Sequence, residues 1–302
     1  MKLLENTEKL NKPVKIKNAV ILAAGYSSRF VPVCFDMPKG LLPVHGETLI
    51  ERQIKQLREV GIDDITIITG AYREQFDFLY EKYSIVLIFN PDFANKNNFA
   101  SIYAARDVLG NTMISSSDLY FPRNIFQGMS EHSYYASVFA KGKTNQRSLT
   151  LDADDRIIGT TYGGADTWIT FGGQAFFEKE FSQKLINYMR PVYDNPEYAN
   201  KYWVDFQDAH LDDLPMFIKR LYAGDIVEFN TLESLWTFDK DFCAANVSPT
   251  MLYIVKKLDA KNERELTEWH AIKDKNAAIG CSFLYNNNRY NYFCTNKKLI
   301  KL

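Results

Sequence analysis

The sequence predicts an α/β protein with a doubly wound sheet, mixed but mainly parallel, followed by a small α+β C-terminal appendage. Three apolar runs without alternation, at 19–25, 63–70 and 84–90, favour this class, because such runs are typical of strands buried on both faces. Helical patterns at 47–61 and 73–83 separate the runs. A βαβαβ order of this kind indicates parallel pairing between the strands.

The first helical segment, ETLIERQIKQLREVG, carries its apolar residues on one stripe and ends at Gly61, a residue that commonly terminates helices. The alternation then continues beyond residue 90. The further predicted elements are a helix at 98–110, strands at 112–118, 134–141, 147–152 and 168–177, a mostly helical stretch at 180–221, a strand and helix within 225–239, and a helix, a polar stretch and an Asn-centred hairpin within 251–302.

These elements suggest three parts. We expect a polar leader at 1–17, a main domain at 18–245 and the appendage at 246–302, with the boundary at the break in pattern around NVSPT. The appendage has about fifty residues, which is small for a segment that folds on its own.

Composition excludes several classes of function. The chain has 302 residues, 46% of them hydrophobic, and 36 Lys+Arg against 37 Asp+Glu give a formal charge of -1. This balance gives no indication of nucleic-acid binding, and no stretch approaches the ~20 apolar residues of a membrane span. Four cysteines without a CxxC pair suggest reduced thiols. We expect a cytoplasmic protein with no nucleic-acid or membrane partner.

The segment LAAGYSSR (22–29) marks a candidate anion site. It lacks the GxGxxG and GK[ST] patterns of two common phosphate-binding folds. Gly25 would let the chain turn so that backbone amides face a crevice, and Arg29 would offer a guanidinium to phosphate oxygens. Lys39, behind the rigid Pro38, supplies a second cation. The alternative is a surface turn with two ordinary basic residues.

Ligands of open α/β sheets bind at the carboxyl ends of the strands. Gly25, Gly70 and Asp118 all stand at such ends. The sequence therefore predicts that the glycine turn, the exit of the second strand and one carboxylate surround a single crevice.

These residues carry a family resemblance. LAAGYSSRF followed by PKGLLPVHGETLIERQIKQL resembles the signature of the sugar-nucleotide-type nucleotidyltransferases, and NKNNFASIY (95–103) and SSSDLYF (115–121) resemble motifs of the bacterial phosphocholine cytidylyltransferases. The resemblance runs from about residue 17 to about residue 242. It implies a Rossmann-like sheet of the nucleotidyltransferase (GT-A-like) type. The implied reaction is Mg²⁺-dependent transfer of CMP from CTP to phosphocholine, giving CDP-choline and pyrophosphate.

The resemblance also implies roles for single residues. Arg29 and Lys39 would be catalytic, holding the triphosphate, and Asp118 would bind Mg²⁺. Asn97 has a second interpretation, as the cap of the helix that follows it. The implied nucleotide-binding residues are Leu22, Ala23, Ala24, Gly25, Ser27, Ser28, Gly70, Asn97, Asn98, Ser101 and Ser117.

The second metal ligand is less direct. KYWVDFQDAHLDDL (201–214) resembles the family's W-[DE]-x stretch, but Val204 follows Trp203 here. Asp205 is therefore the candidate ligand. The alternative is that Asp205 and Asp208 are solvated helix carboxylates.

An acceptor with a trimethylammonium group would need aromatic faces, through cation–π attraction of ~0.5 to 2 kcal/mol per ring. The candidates are Tyr120, Tyr162, Trp168 and Trp203, although most aromatic side chains belong to cores. In TNQRS (144–148), Arg147 stands where the family usually has an aromatic residue. Either Arg147 points elsewhere, or the acceptor differs, for instance 2-aminoethylphosphonate, or activity has been lost.

Two further alternatives remain open at this stage: a sugar 1-phosphate as the acceptor, and a nucleotide-binding remnant without turnover. The segment 267–293 resembles the opening strands of a choline-kinase-like domain, so 251–302 is expected to be a truncated lobe rather than a second active site. The expected partners are CTP and phosphocholine. The sequence is compatible with a homodimer and does not fix the oligomeric state.

Overall fold

The computed structural model describes residues 12–302, apart from the side chains of residues 171 and 172. Residues 1–11 of the predicted leader lie outside the described residues. The rest of that leader is part of the fold, since its first short strand pairs with residues 129–130. Within the described residues, no helix has both the length and the apolar composition that crossing a membrane requires.

The strands are numbered along the chain. They are β1 (Val14–Lys15), β2 (Asn18–Ala23), β3 (Pro43–Val44), β4 (Glu47–Thr48), β5 (Asp64–Thr69), β6 (Val86–Phe89), β7 (Thr112–Ser116), β8 (Leu119–Tyr120), β9 (Met129–Ser130), β10 (Tyr134–Leu151), β11 (Ile157–Phe177), β12 (Phe217–Leu221), β13 (Val227–Glu228), β14 (Thr267–Asp274), β15 (Ala277–Tyr285), β16 (Asn288–Phe293) and β17 (Lys298–Lys301).

The α-helices are short, and single 3₁₀ turns fill several loops. The helices are α1 (Leu49–Glu59), α2 (Asp77–Tyr83), α3 (Asn98–Ala104), α4 (Lys179–Met189), α5 (Trp203–Asp208), α6 (Leu232–Phe238), α7 (Ala244–Val247) and α8 (Pro249–Lys257). The 3₁₀ turns are Val33–Phe35, Lys39–Leu41, Arg73–Phe76, Arg190–Val192, Pro196–Tyr198 and Glu263–Glu265.

A seven-stranded sheet in the order β12-β10-β11-β7-β2-β5-β6 forms the centre of the molecule. β2 runs parallel to β5 and β7, β5 runs parallel to β6, and β10 runs parallel to β12. β11 is antiparallel to both of its neighbours. The predicted mixed, mainly parallel sheet is therefore confirmed, with one antiparallel strand joining its two parallel parts.

The register of the parallel strands brings the predicted crevice together. Ala23 pairs with Thr69, and Leu22 pairs with Ser116. Because β2, β5 and β7 end side by side, the loops that follow them, with Gly25, Gly70 and Asp118, begin at one edge of the sheet.

Two sequence expectations differ from the structure. The strands predicted at 134–141 and 147–152 form one strand, β10, which pairs with β11 over a long ribbon containing register shifts around Arg147. The prediction of mostly helix at 180–221 is wrong at its end, where β12 forms an edge strand of the main sheet. Pro215 precedes β12, and a proline disfavours helix in the residue before it.

The C-terminal residues form a separate four-stranded antiparallel sheet, β14-β15-β16-β17. The hairpin predicted in SFLYNNNRYNYF is present, and its two turn residues Asn286 and Asn287 have φ of 49° and 59°, as two-residue hairpin turns require. Buried residues of this sheet and of α7 and α8 share one apolar cluster with Phe30, Val31 and Cys34. The division of the chain at 245/246 stays a prediction.

Candidate active site

The loop after β2 carries the first group of predicted site residues. The left-handed backbone position in this loop is Ser27, with φ of 54°. Gly25 lies outside the left-handed region, and a methyl group added to it would meet nothing within 4 Å. The expectation that Gly25 makes the turn is therefore wrong in detail. The Ser27 hydroxyl accepts a hydrogen bond from the Lys39 amide at 3.0 Å, which fixes the two ends of the loop to each other.

Lys39 and Asp118 form an ion pair between this loop and the end of β7. The Lys39 Nζ lies 3.1 Å from the Asp118 carboxylate and 5.1 Å from the centre of the Phe30 ring. The lysine side chain is only 7% exposed and the carboxylate is 24% exposed. Burial alone would raise the pKa of Asp118, but Lys39, a hydrogen bond from Ser116 and the charge of Arg29 outweigh it, so the pKa is lowered. Asp118 is therefore ionised at neutral pH.

A first cavity of about 350 Å³ opens beside this pair. The predicted residues that it brings together are Leu22, Ala23, Ala24, Gly25, Ser27, Ser28, Arg29, Lys39, Asn97, Asn98, Ser101, Ser117 and Asp118. Residues that were not predicted complete the wall: Tyr26, Phe30, Pro38, Gly40, Asn90, Phe93, Lys96, Ser116, Asn200, Lys273 and Asn276.

The wall of the first cavity is positively charged. It contains four cations, Arg29, Lys39, Lys96 and Lys273, and one carboxylate, Asp118. The whole chain has a formal charge of -1, so this excess of positive charge is confined to the cavity region. Together with backbone amides at the end of a strand, it favours a ligand with several negative charges.

A hydrogen-bond network positions the asparagine residues that line the first cavity. Asn97 accepts from the amide of Asn98 at 2.8 Å, so it does cap α3, as the alternative interpretation proposed, while also lining the cavity. The side chain of Asn98 accepts from the Trp203 amide at 2.9 Å and joins α3 to α5. Asn90 donates to the buried Ser101 hydroxyl at 3.2 Å.

Gly70 lies behind the first cavity and is not among its lining residues. A side chain there would come within 2.5 Å of the Ala24 carbonyl oxygen and 2.6 Å of the Phe93 Cβ. The absence of a side chain at Gly70 thus lets the loop after β2 and the segment around Phe93 approach each other. Both of these elements line the cavity.

A second cavity, of about 380 Å³, joins the first. Both cavities are lined by Arg29, Asn98, Ser116 and Asp118. Two ligands, one bound in each cavity, would therefore approach each other at Arg29 and Asp118. The other residues of the second cavity are Leu119, Gln146, Arg147, Tyr162, Thr170, Gly173, Tyr202, Val204, Glu228 and Asn230.

Glu228, at the end of β13, is the carboxylate that sequence analysis missed. Burial raises its pKa, and the negative charge of Asp118 raises it further, against opposing effects of Lys39, Asn230 and Arg29. The negative charges of these two carboxylates repel each other, and a bound cation would reduce this repulsion. In the sequence, the indication was an acidic residue, Glu228, at the end of the short apolar segment in DIVEF.

Asp205 does not line either cavity. One of its carboxylate oxygens accepts from the Tyr202 amide at 3.1 Å, capping α5, and the other accepts from the Tyr162 hydroxyl at 3.4 Å. Tyr162 and Tyr202 are 66% and 46% exposed, and both line the second cavity. The structure thus places Asp205 behind two accessible rings rather than beside Asp118 in the cavity wall.

Arg147 is buried in the wall of the second cavity and does not stand free. It forms an ion pair with Asp208, and its guanidinium lies 5.5 Å from the centre of the Tyr135 ring. Asp208 also accepts from the Thr160 hydroxyl at 2.6 Å. The charge of Arg147 is therefore compensated by a carboxylate from α5.

Three of the four predicted aromatic residues lie outside both cavities. Trp203 is fully buried against Tyr135 and Phe177. Tyr120 is buried beneath the Arg52 guanidinium, at 4.7 Å. Trp168 packs on the ribbon, 5.2 Å from the Arg220 guanidinium. These rings follow the common role of aromatic residues in cores and packing, and Tyr162 alone of the four reaches a cavity.

The described residues contain no cluster of three or more His, Cys, Asp or Glu side chains suited to a metal. Mg²⁺ commonly takes only one or two protein carboxylates and completes its shell with water and substrate phosphates. Asp118 with Glu228 offers that donor set next to a positively charged cavity. The residues present therefore fit a magnesium ion shared with a phosphate ligand.

Two cavities, one with a positively charged wall, meet at Asp118 at the carboxyl edge of a mainly parallel sheet, which is the arrangement expected of a nucleotidyltransferase. Comparison with known proteins agrees. The model of the MobA-like NTP transferase domain matches residues 19–191. The chain belongs to this family of nucleotidyltransferases.

Similar proteins narrow the family further. Choline-phosphate cytidylyltransferase of Streptococcus pneumoniae is 32% identical over 71% of this chain and 93% of that protein. 2-Aminoethylphosphonate cytidylyltransferase of Lancefieldella rimae is 33% identical over 74% of this chain and 93% of that protein. The solved structure of the CTP:phosphocholine cytidylyltransferase from S. pneumoniae covers 75% of this chain and 99% of its own, with a TM-score of 0.70. The predicted resemblance to phosphocholine cytidylyltransferases is thereby confirmed.

Gly70→Ala tests the packing behind the first cavity. Because a methyl group at Gly70 would meet the Ala24 carbonyl and Phe93, we expect the variant to be destabilised and to bind CTP at least about tenfold more weakly. Gly110→Ala is the matched control, since its added methyl meets nothing within 4 Å. Urea unfolding and calorimetric CTP titration measure the two effects. Equal behaviour of the two variants would contradict the proposed packing role.

Proposed function

We propose that the protein is a cytidylyltransferase that transfers CMP from CTP to phosphocholine and releases pyrophosphate. The observation that carries the proposal is the junction of the two cavities at Arg29 and Asp118. A transfer between two phosphates requires that donor and acceptor meet at a point where negative charge is compensated. The names of two similar proteins, both cytidylyltransferases, support CTP as the donor.

The first cavity suits the nucleotide. Its cations would bind the phosphate oxygens of CTP, and Asn90, Asn97 and Asn98 add side-chain amide groups to the same wall. Lys39 is already oriented by its ion pair with Asp118 and by the Ser27 hydrogen bond to its backbone. A lysine held in this way needs little reorganisation when charge develops on the departing pyrophosphate.

The second cavity suits the acceptor. Tyr162 and Tyr202 present accessible rings beside Asp205, an arrangement that favours an organic cation through ring faces and a carboxylate. Arg147 would oppose such a cation, but its pairing with Asp208 reduces this effect. The phosphate of the acceptor would then lie toward Arg29.

In the proposed reaction, an ionised phosphate oxygen of the acceptor attacks the α-phosphorus of CTP in line. A bond forms between these atoms while the bond from the α-phosphorus to the bridging oxygen breaks, and pyrophosphate leaves with the bonding electrons. No general base is needed, because the attacking oxygen carries no proton. Arg29, at the junction, would hold both anions, and Lys39 would stabilise the leaving group.

We propose Mg²⁺ as the cofactor, with Asp118 and Glu228 as its protein ligands in place of the pair Asp118 and Asp205 expected from the sequence. When bound, Mg²⁺ would neutralise phosphate charge at the junction of the cavities. Asp205 would instead act on the acceptor side through Tyr162 and Tyr202.

2-Aminoethylphosphonate is a second candidate acceptor. Two observations favour it: the relative with that name matches as well as the choline-phosphate enzyme, and Trp168 and Trp203 do not reach the second cavity. A primary ammonium group depends less on rings and more on carboxylates than a trimethylammonium group does.

A cytoplasmic location, a homodimer and the origin of 251–302 as a truncated kinase lobe stay predictions.

Pyrophosphate release from CTP tests the proposed function. We expect release with phosphocholine, with kcat/KM at least about tenfold higher than with 2-aminoethylphosphonate or glucose 1-phosphate, because two rings flank the acceptor site. Asp118→Ala is the negative control. A reversed preference would establish the second candidate, while CTP binding without release with any acceptor would show a remnant without turnover.

Glu228→Gln and Asp205→Asn separate the two carboxylate roles. We expect Glu228→Gln to raise the Mg²⁺ concentration for half-maximal rate by about tenfold, because it removes one charged metal ligand. Asp205→Asn should leave that concentration unchanged and raise the KM of the acceptor. Rates measured across a Mg²⁺ series check both. The opposite pattern would return Asp205 to the metal site.

A further inference from the structure

The C-terminal sheet reaches into the first cavity. Lys273, near the end of β14, and Asn276, in the turn that leads to β15, are both lining residues of that cavity. The turn is fixed there, because Asn276 donates a side-chain hydrogen bond to the Ala94 carbonyl at 3.1 Å. Ala94 is next to Phe93, itself a wall residue. One part of the cavity wall is thus formed by a turn that lies 182 residues from its contact Ala94 in sequence.

Contacts with the loop after β2 hold the C-terminal segment in this position. Asp36, in that loop, accepts hydrogen bonds from the Thr250 amide at 3.0 Å and from the Thr250 and Ser248 hydroxyls. The rings of Phe35 and Tyr292 lie 6.1 Å apart. The loop that carries Ser27, Ser28 and Arg29 is therefore packed on the C-terminal segment through one apolar cluster.

Lys273 has no carboxylate within 4.0 Å among the described residues, and its side chain is exposed at the cavity. Lys39 and Lys96, by contrast, are already paired with aspartates. Lys273 adds an unpaired positive charge to a cavity wall that also contains Arg29, and this excess of positive charge favours binding of an anion. Its charge is thus available to a ligand.

The solved S. pneumoniae structure is covered to 99% by 75% of this chain, so about a quarter of this chain has no counterpart in it. The family model ends at residue 191. Lys273 and Asn276 therefore lie beyond the residues that define the family.

We propose that the C-terminal sheet forms part of the nucleotide-binding site. Lys273 binds the phosphate chain of the nucleotide, and Asn276 holds the turn between β14 and β15 in place. This inference rests on the proposed function, which assigns the first cavity to CTP. It gives the appendage a role in substrate affinity in place of a separate activity.

The test is CTP binding and steady-state kinetics of full-length Lys273 variants. We expect Lys273→Met to weaken CTP binding and raise the KM for CTP by about three- to fivefold, the size of one exposed charge contact, with kcat within twofold. Lys273→Glu should have a larger effect and Lys273→Arg almost none. Lys298→Met, an exposed lysine of the same sheet outside the cavity, is the matched control.

The effect of Lys273→Met should also shrink as salt is raised, because salt screens an exposed charge and leaves packing unaffected. Wild-type affinity in Lys273→Met and Lys273→Glu would overturn the inference while leaving the proposed function intact. Failure of the wild-type protein to bind CTP would instead overturn the proposed function, and the inference with it.

Discussion

The ion pair between Lys39 and Asp118 is the interaction on which the site depends. It joins the loop after β2 to the end of β7, in a place where the lysine is almost completely buried. A buried cation or carboxylate without its partner would be costly, so each fixes the position of the other. Since both cavities meet at Asp118, the same contact sets where two bound ligands would approach each other.

Packing behind this pair determines the shape of the cavities. The parallel register of β2 with β5 and β7 brings three loops to one edge, and the close approach at Gly70 brings the loop after β2 against the segment of Phe93. The C-terminal sheet adds a second support to that loop through Asp36. The first cavity thus depends on contacts from the N-terminal strands and from the C-terminal sheet.

Local patterns sufficed to predict the parallel strands at the centre of the sheet and the loop after β2, but not the edge strand β12. The unbroken apolar runs predicted β2, β5 and β6, and the glycine, serine, arginine and lysine residues after β2 predicted an anion site, because both signals are contained in short segments. Glu228 and Lys273 could not be found in this way. Their roles arise from tertiary contacts: one carboxylate is brought opposite Asp118 by a two-residue strand, and one lysine is brought to the cavity by a distant sheet.

The aromatic residues illustrate the same limit. Trp203 and Tyr120 are of the residue type expected in an organic-cation site, yet both are buried in apolar clusters. Tyr202, which precedes Trp203 in sequence, is instead exposed. On a short helix, adjacent residues point in different directions, and the sequence alone did not show which one faces the cavity.

Titration of the Asp118 carboxyl group, followed by carbon-detected nuclear magnetic resonance in the protein without added metal, tests the role of the ion pair most directly. We expect a pKa below the ordinary range of aspartate, because Lys39, the Ser116 hydrogen bond and Arg29 together outweigh the effect of burial. A pKa at or above the ordinary value would show that Lys39 does not hold this carboxylate in its charged form, and would contradict the arrangement of the site.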